Sequence, residues 1–238
     1  MRGESPSIVL GYDHAAAVVG REAKRALGDF STKRTVERVS LGEAAGRVLA
    51  EAVVADREQP PFARSTRDGF ACRAAELQAG GLRIVGQLKA GQAWTLGPIR
   101  PGEAVEIMTG APVPAGADCV VMVEHVAAQN GVVGLAGERA IAPGENIVPA
   151  GAEAQAGDVV VAAERRLGVA EIAAAAACGG AELDVFARPR VAILATGDEL
   201  VEVKETPLAH QIRNSNSCSL AAQVRAAGGE PQILPVVR

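Results

Sequence analysis

The residues of this chain that could do chemistry sit mainly at polar turns that close apolar or extended runs. Val191 to Ala195 is an unbroken apolar run, and Thr196-Gly197-Asp198-Glu199 follows it. That order predicts a strand buried on both faces, ending at a turn with two carboxylates. Ligands of open α/β sheets collect beyond the carboxyl ends of strands, so Thr196, Gly197, Asp198 and Glu199 are candidates for a site. A plain acidic surface turn fits the same four residues equally well. A second cluster is Ser65-Thr66-Arg67-Asp68-Gly69-Phe70-Ala71, stiffened by Pro60-Pro61-Phe62 just before it. Asp68 fits the rim of a cleft, and an Asp-Gly pair before a strand also fits a simple turn. In Met108-Thr109-Gly110-Ala111-Pro112 a hydroxyl stands beside a glycine that lets backbone approach a ligand; the same residues also make an ordinary turn. Gly151-Ala152-Glu153 is the weakest candidate, because an exposed Glu is usually just solvated.

The elements that must position these residues are short. The chain has 238 residues, with 48% apolar side chains but only 3% aromatic ones, one Trp (Trp94) and one Tyr (Tyr12). Its core is therefore built of Ala, Val, Leu and Ile. The 27 Gly and 13 Pro point to many turns between short strands. No apolar run approaches the roughly 18 residues that span a bilayer, and the N-terminus lacks the basic-then-apolar order of a signal peptide. This implies a soluble, cytoplasmic protein that binds no membrane. The formal net charge is −4, and no dense Lys/Arg block offers a nucleic-acid footprint. The four cysteines, Cys72, Cys119, Cys178 and Cys218, are widely spaced, and His14, His125 and His210 lack metal-ligand spacing. No Gly-x-Gly-x-x-Gly or phosphate-loop Lys motif occurs, which disfavours a generic nucleotide-binding α/β protein.

Taken in order, residues 1–12 read as a loose leader. Asp13 to Phe30 has apolar positions Ala15, Val18, Val19, Ala26, Leu27 and Phe30 at helical spacing, with Asp13 as N-cap. Lys33-Arg34 precedes a short extended link through Val36 and Val39. Ser40-Leu41-Gly42-Glu43 has the form of a capping box opening a helix to about Leu49. Extended runs then occupy Glu51–Ala55, Gly69–Cys72, Leu82–Leu88, Ala104–Met108, Cys119–Val126 and Gly131–Leu135, as in a small barrel or sandwich. Residues 147–161 are extended with turns at Gly151 and Gly157, and Gly168–Cys178 is a helix stopped by Gly179-Gly180. A strand at Leu183–Phe186 and a boundary at Arg188-Pro189-Arg190 lead to a β-α-β unit: the run after Arg190, a helix over Asn214–Ala227, and a strand over Gln232–Val237. Two strands and one helix cannot enclose a core, so either residues beyond 238 are expected, the favoured reading, or the last segment leans on another chain; the 238-residue piece alone is expected to be inactive.

From about Ser40 to Arg238 the sequence resembles the molybdopterin molybdotransferase (MoeA) family, related to the C-terminal part of gephyrin. The resemblance rests on Pro60-x-Phe62-x-x-Ser65-x-x-Asp68-Gly69-Phe70-Ala71, Ile107 to Pro114, Asp118 to Met122, Gly144-Glu145-Asn146-Ile147, Thr196 to Leu200, and Gln211 to Asn216. It implies an elongated, multi-domain α/β plus β protein. Residues 13–50 and 144–187 would form a discontinuous dimerisation domain, and 51–143 an inserted β-barrel-like domain. Residues 188–238 would begin a three-layer α/β domain like molybdopterin adenylyltransferase, with a fourth domain absent. The implied reaction inserts molybdate into adenylated molybdopterin with release of AMP, requires Mg2+, and takes place where the second and third domains of two subunits of a homodimer meet. Molybdopterin adenylyltransferase is an implied partner, and the sequence does not distinguish molybdate from tungstate.

Asp68, Thr109 and Glu199 fall on family positions linked to activity and are taken as catalytic. Ser65, Gly110, Thr196, Gly197 and Asn216 are taken as substrate-binding, and Asp198, Glu199 and Asp68 as metal-linked through Mg2+. A hard cation lets carboxylates tolerate a pyrophosphate, Thr109 and Thr196 would bond oxyanions, and Gly110 and Gly197 would leave room for backbone N–H donors. The chain departs from the family at Arg67 and Phe70 (commonly Met and Tyr), at Glu153 (commonly Asp), at Val148-Pro149-Ala150 (often basic) and at Asn214 (often Asp). The departures keep a non-enzymatic molybdopterin-binding or scaffold protein open as the alternative.

Overall fold

The computed structural model describes residues 10–32 and 34–237. The first nine residues of the expected leader lie outside that set, as does Lys33; of Leu27 and Phe30 only the backbone is described.

Helix α1 (Tyr12–Thr32) starts one residue before the expected N-cap: Ala15 N–H donates to the Gly11 carbonyl, so Asp13 sits inside the first turn. Strand β1 (Val36–Ser40) leads into a single 3-10 turn at Leu41–Glu43. The helix expected to Leu49 does not form. Ser40 Oγ donates to Glu43 rather than capping backbone, at 3.1 Å. Gly46 takes φ +76, and 48–50 bond instead with 164–165 and 184–186. Tertiary pairing overrides a helical signal that is only local.

The chain continues through β2 (Val53–Val54), β3 (Arg64–Ser65), β4 (Gly69–Cys72), α2 (Ala74–Ala79), β5 (Leu82–Leu88), β6 (Glu103–Ile107), β7 (Cys119–Met122), β8 (Val126–Gln129) and β9 (Val132–Leu135). The run predicted as one strand over Cys119–Val126 is broken by a 3-10 turn at Val123–His125. Next come β10 (Ile147–Val148), β11 (Val159–Val161), α3 (Val169–Ala177), β12 (Glu182–Phe186), β13 (Arg190–Ile193), β14 (Leu200–Val201), β15 (Ile212–Arg213), α4 (Ser215–Ala226) and β16 (Glu230–Ile233).

By backbone contacts the chain divides into two compact units. One combines the chain up to Glu51 with Ala162–Ala176 and everything from Gly180; the other is Ala52–Val161 with Ala177–Gly179. Residues 144–161 fall with the second unit because β10 pairs with β3 and β11 with β2. The second unit is built on a six-stranded mixed sheet in the order β7-β4-β6-β5-β9-β8. Alternate residues of its strands point to opposite faces. Phe70, Cys72, Cys119 and Val121 pack with Leu77 and Leu82 on one side; Ala71, Val105, Ile107 and Val120 pack with Leu88 and Ile99 on the other. Apolar matter on both faces accounts for strands without polar alternation.

In the first unit β1 pairs antiparallel with β12, and Leu49 bridges to Val185, both fully buried. β13 pairs in parallel with β16, and α4 connects them. The expectation that β13 is buried on both faces fails: Val191 is 38% and Leu194 57% exposed, and only Ile193 of the strand is buried. Among the described residues β13 has one strand partner, which leaves much of its apolar surface uncovered. No helix among the described residues is long and apolar enough to cross a membrane.

Candidate functional site

Two of the sequence clusters meet in the β-rich unit. The segment after β6 runs antiparallel to β3: Ser65 N–H donates to the Ala111 carbonyl at 3.0 Å, Gly110 N–H to the Ser65 carbonyl at 2.8 Å, and Val113 N–H to the Ala63 carbonyl at 2.8 Å. This pairing brings Thr109 against Asp68. Asp68 Oδ1 accepts from Thr109 N–H at 2.6 Å and from Thr109 Oγ1 at 2.7 Å. The Thr109 N–H, and after it the hydroxyl, hold the Asp68 carboxyl below its ordinary value of 3.8, because both bonds favour the charged form. Oδ2 accepts no hydrogen bond from the described residues, so an ionised oxygen faces outward from a carboxylate whose other oxygen is fixed.

Ser65 positions this turn rather than presenting its hydroxyl. It is 1% exposed, and its Oγ donates to the Arg67 carbonyl at 2.5 Å and accepts from Arg67 N–H at 3.2 Å. The Gly110 N–H, expected as a ligand donor, is committed to Ser65; Gly110 serves through its φ of +82. Gly69 is required for another reason: a Cβ there would lie 1.9 Å from the Val121 carbonyl oxygen of the paired strand β7.

Thr196, Gly197, Asp198, Glu199 and Asn216 lie in the other unit. Gly197 takes φ +150 and donates from its N–H to the Val237 carbonyl at 3.2 Å, so this N–H too is engaged. Glu199 folds back over Gly197, where a Cβ would stand 2.6 Å from Glu199 Oε2. Thr196 and Asn216 line one groove of about 400 Å3 together with Leu200, Asn214 and Leu220, whereas Asp198 and Glu199 are exposed and not part of its lining. Asn214 caps α4, its side chain accepting from Ser217 N–H at 3.2 Å. An Asp caps a helix equally well, which accounts for the exchange at this position.

The family model described as "MoeA N-terminal region (domain I and II)" matches residues 12–179. The chain belongs to the MoeA family. It is 36% identical over 221 residues to a molybdopterin molybdenumtransferase of Bacillus subtilis (strain 168), covering 90% of this chain and 51% of the relative. It is 36% identical over 215 residues to the protein of the same name from Nostoc sp. (strain PCC 7120), covering 88% and 49%. The crystal structure of the molybdopterin biosynthesis MoeA protein of Pyrococcus horikoshii OT3 superimposes with a TM-score of 0.77 at 32% identity, over 85% of this chain and 55% of that one. The mixed α/β fold is thus that of MoeA structures, and the chain spans about half the length of the curated relatives it matches.

Sequence reasoning alone missed two features. Glu153, at the position the family commonly fills with Asp, forms an exposed ion pair with Arg64 Nη2 at 3.0 Å. Asn146 adopts φ +56, accepts Thr66 N–H at its carbonyl at 3.0 Å, and donates from Nδ2 to the Val120 carbonyl at 2.9 Å, fastening the loop before Asp68. A Gly-Glu-Asn turn can place Asn in the left-handed region, and that was the available signal. Among the described residues no three His, Cys, Asp or Glu converge to hold a metal.

Proposed function

We propose that this chain serves molybdenum cofactor biosynthesis as part of a molybdopterin molybdenumtransferase, which inserts molybdate into adenylated molybdopterin with release of AMP. Family membership supports this, and the observation that carries it at the residue level is the Asp68–Thr109 pair. Its exposed position, its fixed geometry and its persistent negative charge suit a group that meets a charged substrate. One protein carboxylate with a spare oxygen fits Mg2+ better than a dedicated protein cage would, since this ion is usually shared between one or two carboxylates and substrate phosphates. Mg2+, when bound, would neutralise the pyrophosphate of the substrate beside the carboxylate. Asp68 would offer Oδ2 to that cation, and Thr109 would hold the carboxylate correctly turned. Because its N–H and hydroxyl both point to Asp68, Thr109 acts through the carboxylate rather than as a direct oxyanion donor. Glu199, Asp198, Thr196, Gly197 and Asn216 would contribute to the same reaction from the α/β unit.

The finer assignments belong to the same proposal: three domains divided near 50, 143 and 187, an elongated homodimer, a cytoplasmic location, and exchange with molybdopterin adenylyltransferase. The exposed apolar residues Tyr12 and Val19 of α1 support association. The test is AMP release when adenylated molybdopterin, molybdate and Mg2+ are given to the product of the complete reading frame. Molybdate-dependent release is expected. Tight binding of the pterin without release would instead favour the scaffold reading.

A further inference from the structure

A separate cavity of about 280 Å3 lies wholly within the first unit and is lined by four arginines, Arg34, Arg47, Arg166 and Arg188, with no carboxylate in its wall. This is unexpected in a chain whose net charge is −4. Arg47 is 9% exposed and fixed: it pairs with Glu37 and donates to the Phe186 carbonyl at 2.8 Å. Arg34 pairs with Glu164 at 3.0 Å and lies over the Phe186 ring, 4.7 Å from its centroid. The side chains of Arg166 and Arg188 have no ion pair or hydrogen bond among the described residues. Arg166 Nη2 reaches over Gly46 and Gly228, 4.0 and 3.9 Å from where a Cβ would stand on each. Four guanidiniums against two carboxylates leave two positive charges around one concavity.

A guanidinium does not shed its proton, so these charges cannot be relieved by titration. Arg34, Arg166 and Arg188 are exposed, so the cluster is tolerated in water, but like charges around one hollow favour an anion that joins them. The carboxyl end of α4 meets the same cavity at Ala227 and Gly228. It contributes only about half a negative charge, too little to balance two. The planar forks of Arg match oxyanions bidentately.

We infer that this cavity binds a phosphate-class oxyanion, either free or as the head of a phosphomonoester whose body rests on Val48 and Phe186. The site is distinct from the Asp68–Thr109 pair and does not depend on the proposed reaction.

The test is calorimetric titration of the full chain with inorganic phosphate and with phenyl phosphate at low ionic strength, in parallel with Arg166→Gln, Arg188→Gln and the double variant. Saturable binding at one site is expected, weakened about tenfold by each substitution. Melting temperatures should be unchanged, since both side chains are exposed. Tighter binding of phenyl phosphate identifies an ester head as the ligand, and equal binding a free oxyanion. Absence of saturable binding of either probe at millimolar concentration overturns the inference, as does undiminished binding by the double variant.

Discussion

The lowered pKa of Asp68 comes from a single neighbour, Thr109, which makes the pair separable by one substitution. Thr109→Val removes the hydroxyl donor and keeps the N–H, so the Asp68 carboxyl should rise toward its ordinary value of 3.8. NMR titration of the side-chain carbon would read this. The sign follows from the direction of the shift: a lowered folded value stabilises the protein above the unfolded value, and that stability is lost as pH falls through the folded value. Wild type should therefore melt above Thr109→Val at neutral pH, and the difference should shrink as the pH falls below the ordinary carboxylate value and through the lowered folded one. An Asp68 titration that ignores the substitution would refute the assignment. The sequence made Asp68 and Thr109 candidates, but it could not show that they bind each other. That bond depends on β3 pairing with the segment after β6, a register no local pattern encodes.

Among the elements, β4 and β5 were legible to the residue: β4 is a short apolar run between Asp68 and Arg73, and β5 follows the Gly80-Gly81 turn. α3 and α4 were legible within a residue or two for the same kind of reason: Gly179 and Gly228, both at positive φ, end them. The failures have a common cause. The 40–49 helix lost to strand-like pairing with 164–165 and 184–186, and β13 kept a partner on only one side, so burial predicted from its apolar run did not follow. α2 went unseen because its six residues carry too short a pattern to compete with the β-rich surroundings.

Close approach of β4 to β7 makes Gly69→Ala costly: the new methyl must displace the Val121 carbonyl. A loss of about 3 kcal/mol in urea unfolding is expected; a change within about 0.5 kcal/mol would contradict the packing. The same strand pair sets Cys72 Sγ 3.7 Å from Cys119 Sγ, both fully buried. The neighbouring thiol and burial push Cys119 far above its ordinary 9.0. Exposed Cys218 should therefore react first with a thiol reagent at neutral pH, and Cys72 and Cys119 only on unfolding. Prompt labelling of either would contradict this.

At the scale of the whole molecule, membership of the MoeA family and the mixed fold were legible in the sequence because six short segments stood in order. The unit boundary was less legible: β10 and β11 follow the inserted region in sequence yet pair back onto β3 and β2, long-range contacts that periodicity does not report. The functional account depends most on the free oxygen and charge of Asp68. Asp68→Asn keeps an oxygen for both Thr109 donors while removing the charge and the second acceptor, so the fold should survive. The deciding measurement is the turnover number for AMP release by the complete reading-frame product carrying this substitution. The account predicts a fall of about a hundredfold or more at an unchanged melting temperature; turnover equal to wild type would contradict it.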